Sequence, residues 1–206
     1  YEASTKEDIV RAAAKYYFLQ PTDAGLQVEE ALVLENRSDR TYIGSRLVEP
    51  DKRETGRFQP PDGAEKVNYG EGFMDCCVLR QGSGFVDTMA IKPGETRKVF
   101  SYRIPFRGTG LSFSTTLQQD IDRVVLLMPE SEVQVKVAGL NDDGVQHLRG
   151  ENYRAFSGEN LPAGTNLQIN LYNLPSRGID ANWPVVVIGV LALFPIAVYL
   201  LRKRRI

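Results

Sequence analysis

His147 is the only imidazole in the chain, and it follows the turn-like segment Asn141–Gly144. A catalytic triad or a histidine-ligated metal would have to use this residue. No Gly-x-Ser-x-Gly nucleophile motif accompanies it, because Gly82-Ser-Gly84 is too short and is typical of a hairpin loop. The sequence therefore predicts an exposed or hydrogen-bonded histidine. It assigns no catalytic residue, no metal ligand and no cofactor.

Two adjacent cysteines, Cys76 and Cys77, lie in a segment at 73–79 that favours a strand. On a strand their side chains would point to opposite faces, and a disulfide between neighbours is strained. Three interpretations stay open: one buried and one half-exposed thiol, a vicinal disulfide in an oxidising compartment, or a cysteine that pairs with a partner or does redox chemistry. So few histidines and cysteines exclude a multi-ligand structural zinc site and a disulfide-dense scaffold.

Carboxylates are abundant, but no spacing selects a general acid and a general base. The pair Glu29-Glu30 and the pair Asp120 and Asp122 are consistent with solvated strand edges. The segment Asn141–Gly144 lacks the later glutamate of an EF-hand loop, which favours a turn over a weak calcium site. We therefore expect the chain not to be an enzyme. The formal net charge of -1 argues against a whole-protein surface for nucleic acid.

One end of the chain differs from the rest. Residues 185–201 are seventeen consecutive uncharged residues, and Trp183 and Pro184 extend them to nineteen. At 1.5 Å per residue a helix of this length spans about 28 Å, close to the hydrocarbon thickness of a bilayer. The sequence therefore predicts a transmembrane helix over 184–201, with Trp183 and Tyr199 near the two interfaces.

Small residues and a basic tail define how this helix is expected to sit. Proline is tolerated in membrane helices and predicts a bend, and small residues let a neighbouring helix approach closely. The residues predicted to contact the bilayer and partner helices are Trp183, Gly189, Ala192, Pro195 and Tyr199. The residues predicted to set the topology are Arg202, Lys203, Arg204 and Arg205, which should remain in the cytoplasm.

The charge balance supports the same topology. The tail holds four of the 25 basic residues, so 21 remain against 26 acidic ones, and residues 1–201 carry about -5. A mildly acidic domain outside and a basic tail inside agree with the positive-inside rule. We expect a bacterial inner-membrane protein with one span, a periplasmic N-terminal domain and a cytoplasmic C-terminus, exported by a signal that has been removed.

The domain before the apolar segment is rich in short β-prone runs separated by turn residues such as Pro60-Pro-Asp-Gly63 and Pro93-Gly94. The segment 26–35 alternates until a slip at Glu30 and Ala31, which predicts a bulge there. Only 5–14 has a helical pattern, either a short helix or the approach to the first strand. Many short strands about ten residues apart favour an antiparallel sandwich.

An aromatic run, Tyr16, Tyr17 and Phe18, falls on the first predicted strand. Core packing with one exposed aromatic ring is the favoured interpretation, and a contact with a partner or a sugar is the alternative. The triplet Asn36-Arg-Ser38 fits a glycosylation sequon, but one such triplet is unsurprising and is interpreted as a loop.

An internal similarity suggests how the domain is divided. Residues 91–105 align with 161–175 at an offset of seventy, so that Tyr102 matches Tyr172 and Pro105 matches Pro175. A generic turn–strand unit explains this as well as two tandem modules do. The predicted boundaries are 1–107 for a first β-sandwich module, 108–176 for a smaller second module, 177–183 for a linker, 184–201 for the transmembrane helix and 202–206 for the basic tail.

Several turn and strand motifs occur in a fixed order: NRSDRTYIG, PPDG, IKPGETRKVFSYRIPF, LLMPE and LPAGTNLQINLYNLP. This order resembles bacterial exported β-sandwich proteins with one C-terminal helix, some similar to carboxypeptidase regulatory-like domains, that accompany membrane electron-transfer or cytochrome-assembly systems. The apolar-x-Pro-Gly corner resembles that of immunoglobulin-like and fibronectin type III-like modules, although no Cys-Trp-Cys core is present. The resemblance implies a mostly β, immunoglobulin- or fibronectin III-like sandwich, as one or two modules, plus a C-terminal transmembrane helix.

A tethered sandwich confines a binding surface to a plane near the membrane and raises its effective concentration. We therefore expect a non-enzymatic accessory or structural subunit of a bacterial membrane complex, of the electron-transfer, respiratory or photosynthetic reaction-centre type. Its expected partners are integral membrane subunits and the lipid bilayer, with no nucleic acid. The alternatives are an assembly factor for cytochrome c or haem, and a periplasmic sensor that binds a ligand or carbohydrate.

Overall fold

The computed structural model describes residues 1–148 and 150–175. Within these ranges almost all regular structure is β, which confirms the prediction of a mostly β fold. Two short 3₁₀ turns, Glu7–Ile9 and Asp75–Cys77, interrupt it. The strands are β1 (Ala3–Ser4), β2 (Val10–Thr22), β3 (Gly25–Asn36), β4 (Thr41–Tyr42), β5 (Arg46–Glu49), β6 (Lys52–Glu54), β7 (Gly56–Phe58), β8 (Glu65–Tyr69), β9 (Val78–Gln81), β10 (Gly84–Asp87), β11 (Gly94–Ile104), β12 (Gly110–Thr116), β13 (Ile121–Pro129), β14 (Gln134–Ala138), β15 (Asn141–Leu148), β16 (Glu151–Leu161) and β17 (Asn166–Tyr172).

A seven-stranded sheet in the order β15-β16-β13-β2-β3-β11-β8 forms one layer. Two three-stranded sheets, β12-β17-β14 and β7-β10-β9, supply apolar side chains that pack against it. β2 is parallel to β13, whereas β2 with β3 and β3 with β11 are antiparallel. The large sheet therefore combines strands from both predicted segments, 1–107 and 108–176.

The core lies between the layers because strands alternate their side chains between two faces. Along β3 the inward positions include Leu26, Val28, Leu32 and Leu34, all buried. One end of the core is aromatic: the Phe58 ring stacks on Phe85 with a centroid distance of 5.0 Å. Further edge-to-face contacts extend this aromatic group across both layers.

The strand register corrects two local predictions, and the structure decides one open alternative. The segment 5–14 is the approach to the first strand and not a helix, because a single 3₁₀ turn leads directly into β2 at Val10. The bulge lies on β2, between Ala12 and Ala14, and β3 pairs with β11 without a shift through Glu30. The segment 141–144 begins β15 and is not a free turn; the register shift between Asp142 and Gly144 accommodates its turn-like residues.

The two aligned segments of the internal similarity fall in different sheets. β11 is an inner strand of the large sheet, and β17 is the middle strand of a small one. Tyr102 is fully buried, whereas Tyr172 is 44% exposed. The matched tyrosines therefore have different surroundings.

The predicted linker 177–183, transmembrane helix 184–201 and tail 202–206 lie outside the described residues. The membrane and topology residues predicted from the sequence lie there too. Within the residues that the structure does describe, no helix combines the length and apolar character needed to cross a bilayer.

Candidate functional site

A buried ion pair, Lys15 and Glu30, lies on the inner face of the large sheet. The Lys15 Nζ is 2.8 Å from the Glu30 Oε2, and the Tyr102 hydroxyl donates to the Glu30 Oε1 at 2.8 Å. The ammonium also lies 4.8 Å from the centre of the Tyr17 ring. Burial lowers the pKa of Lys15, but the Glu30 carboxylate and the Tyr17 hydroxyl together more than offset this, so that the pKa is raised overall.

A second buried pair joins the two layers. The Nζ of Lys98, on β11, is 2.5 Å from the Oδ2 of Asp87, on β10, and each side chain is at most 2% exposed. The same ammonium donates to the Gly72 carbonyl oxygen at 2.5 Å and lies 5.3 Å from the centre of the Phe73 ring. Because both pairs are almost closed to solvent, neither can meet a substrate. They fix the alignment of strands and layers.

His147 lies on β15 at the edge of the large sheet and is hydrogen-bonded. Its Nδ1 is 2.9 Å from the Asn152 side-chain oxygen. The Asn152 amide nitrogen donates in turn to Glu130 at 2.9 Å. The prediction of an exposed or hydrogen-bonded histidine is confirmed. Among the described residues, neither cysteine takes part in the hydrogen bonds that join His147, Asn152 and Glu130.

The cysteines lie on the 3₁₀ turn Asp75–Cys77 and not on a strand, which corrects the prediction of a strand over 73–79. Both are free thiols; Cys76 is exposed and Cys77 is half-buried. A hydrogen bond with Cys76, together with burial, raises the pKa of the Cys77 thiol. A thiol with a raised pKa is less of a thiolate at neutral pH and therefore less reactive.

The other polar motifs are engaged in local structure. Asp142 accepts a hydrogen bond from the Gly144 amide and forms an ion pair with Arg154. Asn36 is 2% exposed, and its amide nitrogen donates to the carbonyl oxygens of Arg40 and Ile91 at 2.7 and 3.0 Å. This burial leaves Asn36 inaccessible as a glycosylation acceptor. No group of three or more potential metal ligands occurs among the residues that the structure describes.

The face of the large sheet that points away from the smaller sheets carries apolar side chains. Its centre forms a cluster separate from the core, contributed by β2, β3 and β11 alone among the described residues. The strand register places further residues of β13 and β16 on this face. We call this surface the outer apolar patch; its members are Ala14, Tyr16, Phe18, Ala31, Val33, Val99, Val125, Leu127, Tyr153 and Ala155.

The patch is unusual for the outside of a sandwich. Antiparallel sheets commonly keep one face polar and solvated. Here Tyr16, Phe18 and Leu127 are half-buried on neighbouring strands, and the Phe18 and Tyr153 rings lie 5.7 Å apart. Half of the patch members are at most 7% exposed, so the half-buried side chains supply the apolar area that remains open to solvent. An apolar patch on the surface of a folded domain marks a site of interaction.

Charged groups flank the patch on opposite sides. Glu29 of β3 lies beside Phe18 of β2, and burial raises the pKa of Glu29. Within the described chain, no cation pairs with this carboxylate. On the other side lie Arg123 and Arg97. The Arg123 ion pair with Glu159 is long, at 3.9 Å, and the buried Arg123 Nε has no hydrogen-bond partner among the described atoms.

The sequence located the patch only in part. The run Tyr16, Tyr17 and Phe18 pointed to one exposed ring, but two of the three rings face outward and Tyr17 faces the core. The explanation of Glu29-Glu30 as solvated edge residues is wrong for Glu30, which is 1% exposed. The alternation of β3 is the sequence signal that could have placed Glu30 in the core. Glu30 continues the series of inward-facing residues, and a buried lysine supplies its counter-charge.

No protein-family model and no curated protein matches the chain. Solved structures that resemble it include a proposed protease from Parabacteroides distasonis, at 11% identity and a TM-score of 0.41, covering 80% of this chain and 40% of that one. They also include an M1 zinc metallopeptidase from Deinococcus radiodurans, at 12% identity and 0.42, covering 78% and 42%. A variant of that peptidase with a bound Tyr-Ser-Ala substrate gives 9% and 0.41, covering 89% and 51%.

This finding corrects the expectation that the chain is not an enzyme, because the structures that it resembles are of peptidase type. The chain spans about two-fifths to half of their length. At TM-scores of 0.41 and 0.42 the likeness assigns neither an activity nor a catalytic residue.

Proposed function

We propose that this chain is a single-span, membrane-anchored accessory subunit that assembles with other subunits of a bacterial membrane complex through the outer apolar patch. The observation that carries the proposal is the patch itself. Half-buried rings of Tyr16 and Phe18 lie on the outer face of a sheet whose other face is already packed. Covering such a surface on association removes apolar area from water, at about 25 cal/mol per Å².

The sequence supplies the other half of the proposal. The uncharged segment 185–201, followed by the basic tail 202–205, is the basis for an anchor with the domain outside and the tail inside. A domain of immunoglobulin- or fibronectin III-like type, held close to the bilayer, would meet its neighbours at a high effective concentration. An electron-transfer, respiratory or reaction-centre assembly is the proposed setting, on the resemblance of the turn motifs.

Site-specific photocrosslinking in intact cells tests this proposal. A photoreactive residue at Phe18 lies in the patch, and one at Ser114 lies at an exposed position of β12 in a smaller sheet. We expect one product of defined mass from position 18 and none from position 114. The variant Phe18→Lys should lose its partner during purification in mild detergent while keeping its thermal midpoint. Equal crosslinking from both positions, or none from position 18, contradicts the proposal.

A further inference from the structure

The strand register arranges the outer face of the large sheet in rows that run across the strands. The middle row contains Tyr16 of β2. The row on one side contains Phe18 and Glu29. The row on the other side passes from Ala14 of β2 across β3 to Arg97 of β11. On β2 and β3 a large ring and an acid therefore lie on one side of Tyr16, and on β2 and β11 a small residue and a base lie on the other, where β16 also places Glu159.

We propose that the partner across the outer apolar patch is a second copy of this chain, packed face to face about a two-fold axis along the middle row; this inference rests on the proposed function. Such a rotation exchanges the two flanking rows. Phe18 of each copy then lies over Ala14 of the other, so that a large side chain meets a small one. Glu29 of each copy then faces β3 of the other copy, one strand spacing (about 4.8 Å) to the side of Arg97 and across the roughly 10 Å that separates two packed sheets.

Charge complementarity selects a second copy over an unrelated apolar partner. Glu29 is half-buried beside the patch and has no cation partner within the described residues, and burial raises its pKa. On the other side of the patch the Arg97 Nε already contacts Glu95 at 3.3 Å, and a guanidinium can bind a second carboxylate. An isologous interface contains the Glu29–Arg97 pairing twice, because each copy contributes the same patch.

The size of the patch indicates how tightly the copies bind. Five strands at about 4.8 Å and four rows at about 6.7 Å give a face of roughly 20 Å by 20 Å. This footprint of roughly 400 Å² is half of the area, about 800 Å², that each partner of a stable protein interface buries. We therefore expect a dissociation constant in roughly the micromolar range for free copies, and tighter association for copies confined to one membrane.

Charge reversal in the full chain, measured by analytical ultracentrifugation in density-matched detergent, tests the symmetry. Glu29→Arg alone and Arg97→Glu alone should each raise the dimer dissociation constant by about ten-fold. The double variant should restore it, because each copy then supplies both swapped partners. Glu132→Arg, at an exposed position outside the patch, is the matched control and should change nothing.

Each outcome separates this inference from the proposed function. A monomeric chain that still crosslinks from position 18 to a different protein overturns the second copy and leaves the proposed function standing. A monomeric chain without any crosslink overturns both. A dimer that the single reversals leave unchanged places the contact elsewhere and also overturns the inference. Failure of the double variant to dimerise, with its thermal midpoint intact, does the same.

Discussion

Individual residues show their largest energetic effects where charge is buried. The Lys15 ammonium in the core is matched by one carboxylate, Glu30, which also accepts the Tyr102 hydroxyl. Removing one member of a buried pair costs far more than removing both, because the remaining charge stays desolvated. The Lys15–Glu30 pair therefore defines which strands lie together without being a large net source of stability.

We expect Glu30→Gln to lower the free energy of unfolding by about 3–5 kcal/mol, because it leaves the Lys15 ammonium buried without a counter-charge. The double variant Lys15→Met with Glu30→Gln should recover most of the loss. Urea unfolding followed by circular dichroism measures both. The control is Glu95→Gln, at an exposed position of β11, which should cost less than about 0.5 kcal/mol. Equal losses for the single and double variants would contradict this account.

The buried tyrosines predict how stability changes at high pH. Burial raises the pKa of Tyr17 and of Tyr102, and it raises the pKa of Tyr153 to about 12. The folded chain therefore keeps protons that the unfolded chain loses near pH 10. This contribution is complete below about pH 10 and disappears as the pH rises through the folded pKa values.

Unfolding free energies measured from neutral to strongly alkaline pH should fall more steeply in the wild type than in Tyr102→Phe, which removes one raised pKa. Tyr172→Phe is the control, because Tyr172 is 44% exposed. The tyrosinate absorbance gives the titration directly. An unchanged slope in Tyr102→Phe would show that this hydroxyl is not protected in the folded state.

At the scale of single elements, the turn 70–72 shows how a connection can be held to one conformation. Gly72 has a φ of +82°, and a Cβ there would lie 1.8 Å from the carbonyl oxygen of Arg97. The turn hydrogen-bonds to β11 through the Gly70 amide and the Val99 carbonyl at 2.8 Å. The carbonyl oxygen of Gly72 accepts a hydrogen bond from the Lys98 ammonium. Only glycine fits this position.

Gly72→Ala should therefore destabilise the fold by about 3 kcal/mol or more, from conformational strain and from displacement of the β11 backbone. Gly63 provides a matched control, with a φ of +81° and no atom within 4 Å of the point that an added methyl group would occupy. Gly63→Ala should cost only the strain of a positive φ, about 1 kcal/mol. The difference between the two thermal midpoints isolates the steric part. Equal midpoints would contradict the close approach.

The strands illustrate what the sequence could and could not predict. Strands such as β11 and β17 can be predicted from the sequence, because their alternation and their flanking turn residues agree locally. The bulge was misplaced because a buried glutamate at position 30 imitates a slip in the pattern. The partner of that glutamate, Lys15, lies on another strand, and single-sequence periodicity carries no information about such pairing. Whether Tyr16 and Phe18 point to the core or outward likewise depends on which face of β2 the smaller sheets cover.

At the scale of the whole molecule, one sheet joins distant parts of the chain. β13 and β16 extend the sheet beside β2, so residues after 120 complete the hydrophobic core begun by the first strands. Two modules that fold independently would unfold in two transitions, whereas one cooperative unit unfolds in a single transition. The shared core favours a single cooperative transition.

We expect chemical unfolding of the full chain to give one transition, coincident for the far-ultraviolet and near-ultraviolet signals. The variants Phe100→Ala and Leu126→Ala, from the two predicted segments, should shift that transition together, each by about 2–5 kcal/mol. Two separate transitions, each sensitive to only one of the variants, would favour tandem modules over a shared core.

The parallel pairing of β2 with β13 also has a consequence for biogenesis. The first long strand to be synthesised is central in the finished sheet, yet its second neighbour begins only at Ile121. During translation one edge of β2 must wait for about a hundred further residues, and pairings over such separations form slowly. The nascent chain thus presents an unsatisfied, aromatic-rich edge for longer than a hairpin fold would, and chaperone capture at this stage would protect it from misassembly.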